Sequence, residues 1–286
     1  MTAEFDSAWL EAGSPVPSVF LHRLRRHKVI FAPGFMSRMY TEPLNIMGME
    51  FRMGSYFDDQ LNWLKTLEIT NRRLELTPGG FFEKNAERLA ELIRDSEYPV
   101  ILIAHSRGGL DALEALRKLP PLLGKTAGVI TIQSPFYGTP VADYFEERDF
   151  LKTLSAPLLK SAGETPSSVY WLTTGFRNGY MERHAREIAE IVKAVPFICV
   201  GSSCGPDGMC SDASLNLASA LLRSKGVPQH DGLVPIASTR LPGAHFVEAG
   251  EIDHRMPVTS SPGETFDRIR FVRALLAVLI KITPAD

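Results

Sequence analysis

Residues 100–116 constrain this chain more than any other stretch. The apolar run Val100-Ile101-Leu102-Ile103-Ala104 ends on His105-Ser106-Arg107-Gly108-Gly109, and an apolar pattern restarts through Leu110, Ala112, Leu113 and Leu116. The first run reads as a buried strand and the spacing after it as a helix. The turn between them must be sharp. Ala104 and Gly108 stand two residues either side of Ser106, where a tightly folded backbone leaves no room for larger side chains. This is the small-x-Ser-x-Gly pattern of a nucleophile elbow, which presents a serine hydroxyl at the end of a strand.

Strands and helices alternate around this elbow. Residues 28–32 predict a short strand running into the tight loop Pro33-Gly34-Phe35. Phe57, Leu61, Leu64 and Leu67 predict a helix over 56–67, and Ala86, Leu89, Ala90 and Ile93 predict another over 83–95, with a strand at 73–77 between them. Further strands are expected at 128–132, 196–201 and 244–249. A closing helix is expected over 265–282, with Ile269, Val272, Leu276 and Leu279 as its stripe. Such alternation predicts an α/β fold, a doubly wound and mostly parallel sheet with helices on both faces. Ligands then bind beyond the carboxyl ends of the strands, where Ser106 and Phe35 both fall. Residues 1–26 are poorly patterned and are expected to form an arm. The alternation lapses over about 140–192. There Phe150, Leu151, Leu154, Leu158 and Leu159 follow a helical pattern broken at Pro157, ahead of Tyr170, Trp171, Phe176 and Tyr180. A single domain with a helical cap or lid insertion is the expectation.

Composition excludes several classes. With 44% hydrophobic and 22% charged residues the 286-residue chain is globular, and a net charge of −2 gives no footprint for nucleic acid. The one basic concentration, Arg23, Arg25, Arg26, His27 and Lys28, reads as the solvated approach to a strand. The longest C-terminal apolar run, residues 274–280, is too short to span a bilayer. The first twenty residues carry Glu4, Asp6 and Glu11 without an apolar core, which points to a cytoplasmic address. Cys199 reads as an inert core thiol. Cys204 and Cys210 bracket a Gly/Pro/Asp loop and could bond to each other, but a reduced pair is the expectation in that compartment, without partners for a metal.

A serine hydroxyl is a weak nucleophile until a positioned base takes its proton, and that base needs an acid to fix its tautomer. Aspartates and histidines suited to both tasks lie downstream of Ser106. Ala104-His105-Ser106-Arg107-Gly108-Gly109-Leu110, Ser134-Pro135-Phe136-Tyr137-Gly138-Thr139-Pro140, Asp231-Gly232-Leu233-Val234-Pro235 and Asp253-His254 together resemble motifs of bacterial triacylglycerol lipases and related esterases of the α/β-hydrolase superfamily. The resemblance consists of sparse motifs between residues 28 and 258, more specific in their order, Ser then Asp then His, than singly. It implies Ser106 as nucleophile, Asp231 as acid, His254 as base, and the backbone N–H groups of Phe35 and Arg107 as an oxyanion hole. Pro33 departs from the His such lipases often carry, and Arg107 from Met, Gln or Leu. Residues 255–258 lack the acidic residue that helps hold calcium in one branch, so no calcium, other metal or cofactor is implied.

Each residue has a plainer reading. Ser106 could cap a helix and Asp231 could serve a turn, with Asp207 and Asp253 as alternative acids. His230 and His245 compete as bases, although His245 falls inside a strand pattern and His230 adjoins the acid. His105 reads as a support residue. The function implied is hydrolysis of carboxylic esters through an acyl-serine intermediate. The leucines and aromatics of the insertion suggest a lipid-like or hydrophobic substrate. An acyltransferase or thioesterase on the same residues, or a non-catalytic binding protein of the same fold, are the alternatives. The Arg107 side chain leaves open an anionic group on the substrate.

Overall fold

The computed structural model describes residues 1–35, 37–41, 44–46, 49–51, 55–77, 82–259 and 265–283. Its strands are β1 (Lys28–Ala32), β2 (Leu44–Ile46), β3 (Met49–Phe51), β4 (Asn71–Arg73), β5 (Val100–His105), β6 (Thr126–Ile132), β7 (Phe197–Ser202) and β8 (His245–Ala249). Strands β2 and β3 form a separate antiparallel pair. The other six make one sheet in the order β4-β1-β5-β6-β7-β8, every neighbouring pair parallel. From β1 the chain winds out to β4 on one side, then returns to add β5 on the other, so the order reverses between β1 and β5. That reversal opens a crevice beyond the strand ends, the place where open α/β sheets bind ligands.

The apolar strands carry two interleaved faces. Ile30, Leu102, Val129 and Phe197 pack with α5 (Phe82–Arg94), α6 (Arg107–Lys118) and α11 (Ala185–Ala194). Val29, Phe31, Ile103, Ile130 and Ile198 pack on the other face with α1 (Thr2–Glu11), α2 (Ser18–Leu24), α4 (Asp58–Thr66) and α13 (Arg268–Ile282). A short helix, α3 (Arg38–Thr41), follows the loop after β1. Between β6 and β7, ahead of α11, run α7 (Pro140–Glu146), α8 (Asp149–Ser161), α9 (Pro166–Tyr170) and α10 (Thr174–Arg183), while α12 (Asn216–Ser224) lies between β7 and β8.

Several expectations need correction. Residues 1–26 are no loose arm, because they hold α1 and α2. The α1 face is small and sparse, Phe5, Ala8 and Ala12, and it closes on α13 through an edge-on contact of Phe5 with Phe271, ring centroids 5.7 Å apart. Arg273 ties the following turn down by donating to the carbonyls of Ala12 (3.0 Å) and Pro15 (2.9 Å). The strand expected at 73–77 is Asn71–Arg73, after which Leu74 donates a single backbone bond to Phe31 (2.8 Å) as the edge peels away. The closing helix starts at Arg268 because the Asp267 carboxylate caps the Arg270 N–H. Helix α8 runs through Pro157, which removes one backbone donor but leaves the flanking turns intact. His245 opens the edge strand β8 and is exposed at its first position, although it shares a face with the buried Val247 and Ala249. Cys204 and Cys210 are joined in a disulfide. Their Cα atoms stand 4.8 Å apart across the loop, within bonding reach.

Candidate active site

The elbow forms where β5 meets α6. Ser106 has φ 52° and ψ −125°, a conformation costly for a residue with a Cβ and found where a serine is thrust out of a strand end. The backbone must come close on every side. A Cβ on Gly108 would lie 2.2 Å from the Ala32 carbonyl oxygen, and one on Gly34 would lie 2.9 Å from the Ser106 Cβ. Both glycines are therefore conditions for bringing the ends of β1 and β5 together.

Three side chains from distant parts of the chain meet there. Ser106 Oγ lies 2.9 Å from His254 Nε2, and His254 Nδ1 lies 2.7 Å from Asp231 Oδ2. All three residues are buried. An ionised Asp231 accepts from Nδ1–H, which leaves Nε2 to accept from the serine hydroxyl. The other Asp231 oxygen, Oδ1, accepts from the N–H groups of Leu233 (2.9 Å) and Val234 (2.7 Å). The His254 N–H donates to the Asp231 carbonyl at 2.8 Å, so acid and imidazole are joined by main chain as well as side chain.

The competing residues are placed elsewhere. His230 is buried with Nδ1 accepting from the Gly232 N–H (3.1 Å). Asp253 caps its own turn, Oδ1 accepting from Arg255 (2.9 Å) and Met256 (3.0 Å), and Asp207 accepts from the Met209 N–H in an exposed loop. Phe35 follows Gly34 directly, on the rim of the elbow. Arg107 is the first residue of α6, so its N–H has no intrahelical partner and shares the positive end of the helix dipole.

A relay of buried polar groups, which the sequence does not reveal, supports this arrangement. The Gly34 N–H donates to Tyr56 Oη (3.0 Å), Tyr56 O–H donates to His105 Nδ1 (2.6 Å), and His105 Nε2–H is shared between the His254 carbonyl (2.9 Å) and Gln133 Oε1 (3.0 Å). Burial, with His254 adding to it, holds the His105 imidazole well below its ordinary range and hence neutral. Gln133 has φ 54° and donates from Nε2 to Ser202 Oγ and to the Asp253 carbonyl (2.9 Å). One signal was available for Gln133, a polar residue closing an apolar strand. Nothing local marks Tyr56.

The Arg107 side chain turns away from the serine. Fully buried, its Nη1 donates to both oxygens of Glu164 (3.1 and 3.0 Å), and its Nε lies 3.8 Å from Asp111 Oδ2. Burial pushes the Asp111 carboxyl up to about 7, opposed by Arg107 and reinforced by Glu164. Among the described residues no group of three His, Cys, Asp or Glu side chains is arranged to hold a metal ion. No described helix is long and apolar enough to cross a membrane.

No family model and no curated protein matches the chain. Solved structures do. A metagenomic carboxyl esterase superposes with a TM-score of 0.75 at 19% identity, covering 94% of this chain and 79% of its own. The mature form of Bacillus licheniformis lipase BlEst2 gives 0.63 at 20% identity, covering 90% and 92%. Lipase 1 from Pelosinus fermentans gives 0.54 at 13% identity, covering 91% and 100%. With its parallel sheet, its elbow at the strand reversal and these neighbours, the chain has the α/β-hydrolase fold and resembles bacterial esterases and lipases in structure.

Proposed function

We propose that this chain is a serine hydrolase that cleaves carboxylic esters through an acyl-serine intermediate. The observation that carries the reading is the unbroken line from Ser106 Oγ through His254 to Asp231, set on a strained elbow. In this reading His254 Nε2 takes the Ser106 proton as Oγ attacks the ester carbonyl. Asp231 stabilises the imidazolium that forms. The N–H groups of Arg107 and Phe35 receive the developing oxyanion, ordinarily the largest single contribution to acyl transfer. His254 then gives the proton to the leaving alkoxide and later activates the water that releases the acid. No step calls on a metal or cofactor.

A hydrophobic, lipid-like acyl group is the substrate this reading favours. Helix α8, in the proposed cap over 140–192, turns Phe150, Leu154 and Leu158 outward at four-residue intervals, and they are 64%, 75% and 50% exposed. Such a stripe suits contact with an apolar substrate surface. The disulfide favours an oxidising compartment over the cytoplasmic address expected from the first twenty residues.

The test is covalent labelling by a fluorophosphonate together with a panel of p-nitrophenyl esters. Labelling confined to Ser106, with hydrolysis abolished in Ser106→Ala and His254→Ala, is the expected result. A folded protein that neither labels nor hydrolyses any ester would return the chain to the class of binding proteins.

A further inference from the structure

Arg107 is an unusual residue to bury beside a nucleophile, and its surroundings explain what it does there. Its guanidinium is gripped by Glu164 and lies 5.8 Å from the centroid of the Phe35 ring. One buried cation thus touches the side chain of one proposed oxyanion residue and belongs to the other. Glu164 comes from the turn between α8 and α9, whose geometry is closely set. Gly163 has φ +73° and packs so tightly on Arg38 that a Cβ there would lie 2.3 Å from its Nη1. The Glu164 N–H donates back to the Leu159 carbonyl at 2.7 Å, and the capping box of Thr165 and Ser168 begins the next helix. Arg38 itself begins α3, three residues beyond Phe35. The turn at 162–164 is therefore wedged between the loop that carries Phe35 and the helix that begins with Arg107.

We propose that Glu164 is a positioning residue for the oxyanion hole, acting from the cap through the Arg107 guanidinium. The inference rests on the ester-hydrolase reading of the site. In it the cap segment completes the hole: when the turn is seated, a single carboxylate fixes the side chain of one donor residue and, through the guanidinium, the ring of the other. A buried Arg–carboxylate contact of this kind is a weak source of net stability, because desolvation offsets most of its attraction, but it holds geometry well. Donors aligned to within a fraction of an ångström are what stabilise a tetrahedral oxyanion.

The test is a double-mutant cycle on the full chain with the p-nitrophenyl ester that the wild type turns over fastest. Glu164→Gln keeps the shape of the carboxylate and removes its charge. Arg107→Met removes the guanidinium but leaves the backbone N–H. Each is expected to lower kcat by about tenfold to a hundredfold while KM stays within a factor of about three. The double variant should be no slower than Arg107→Met alone, since the proposed action of Glu164 runs through the guanidinium. Wild-type kcat in folded Glu164→Gln, or losses that multiply in the double variant, would overturn the proposal. Should Glu164→Gln fail to fold, Glu164→Asp withdraws the carboxylate by one methylene with its charge kept, and must show the same loss of kcat at unchanged KM. An active wild type that Ser106→Ala silences leaves the hydrolase reading standing whatever Glu164 does, and an inactive wild type overturns both.

Discussion

His105, the residue before the elbow serine, donates from Nε2 to the carbonyl oxygen of His254, 2.9 Å away and 149 positions later in the chain. The strand end that presents the proposed nucleophile therefore also holds the backbone of its proposed base. His105→Leu would leave Tyr56 without its acceptor, and the His254 carbonyl and Gln133 Oε1 without the donor they share. Each buried polar group so stranded costs about 1–3 kcal/mol. The expected outcome is a marked fall in Tm and a kcat about tenfold lower at nearly unchanged KM, read by thermal melts and ester kinetics.

The same histidine predicts a pH dependence of stability. Its folded pKa is depressed by burial, so the folded protein resists a proton that the unfolded chain accepts at about 6.5. Stability from this group is full above pH 6.5 and is lost as pH falls below it. The buried Asp111, raised to about 7, acts in the opposite sense over part of that range. Melting curves between pH 7.5 and 5, taken at about half-unit steps, should show a smaller acid loss in His105→Gln than in the wild type. Equal slopes would assign the acid loss to other groups.

Phe150 and Leu154 provide a test of substrate class. If the outward stripe of α8 meets an apolar surface, Phe150→Ser with Leu154→Ser should lower the rate on an emulsified long-chain ester by about tenfold or more. Activity on a soluble short-chain ester should stay within about twofold, because both side chains are exposed and neither has a role in the proposed reaction. A parallel loss on both substrates would make the stripe a structural feature only.

The Cys204–Cys210 loop braces the two segments that hold Asp231 and His254. The Cys204 N–H donates to the His230 carbonyl at 2.9 Å, and beyond Cys210 the Asp212 N–H donates to Asp253 Oδ2 at 2.9 Å. Cys204→Ala with Cys210→Ala, or reduction by dithiothreitol, should cost about 2 kcal/mol, the chain-entropy value for so short a loop, and lower activity at elevated temperature first. Unchanged melting under reduction would mean that the loop keeps its shape without the bond.

Much of the architecture is legible along the chain because strands buried on both faces must be mainly apolar, as residues 100–104 are throughout and 128–132 are apart from Thr131. The elbow is legible for a related reason: steric crowding dictates Ala104 and Gly108. Segments held by the edge of the structure are harder to read. Helix α1 buries one phenylalanine and one alanine, Phe5 and Ala8, too faint a stripe to separate from an arm, and β4 has only three paired residues. Ser106 could be picked out from its strand-turn-helix context, and Asp231 and His254 from motifs and a chain order resembling those of bacterial lipases, but their convergence is a property of the sheet order. Tyr56, Gln133 and Glu164 matter through partners 49, 120 and 57 residues away, and nothing local marks such pairings.

Gln133 joins what the strands keep apart. Through it and His105, the ends of β5, β6 and β7 and the turn after β8 are tied into one polar knot beneath the serine. The hydrogen bonds named for Ser106, Asp231 and His254 come from strand ends and from the loops that carry Asp231 and His254, and none of them comes from residues 140–192. On the proposed reading, evolution or an engineer is left with a division of labour: the helices of 140–192 could be exchanged to retune what is admitted and how the oxyanion is held, without rebuilding the proposed proton path.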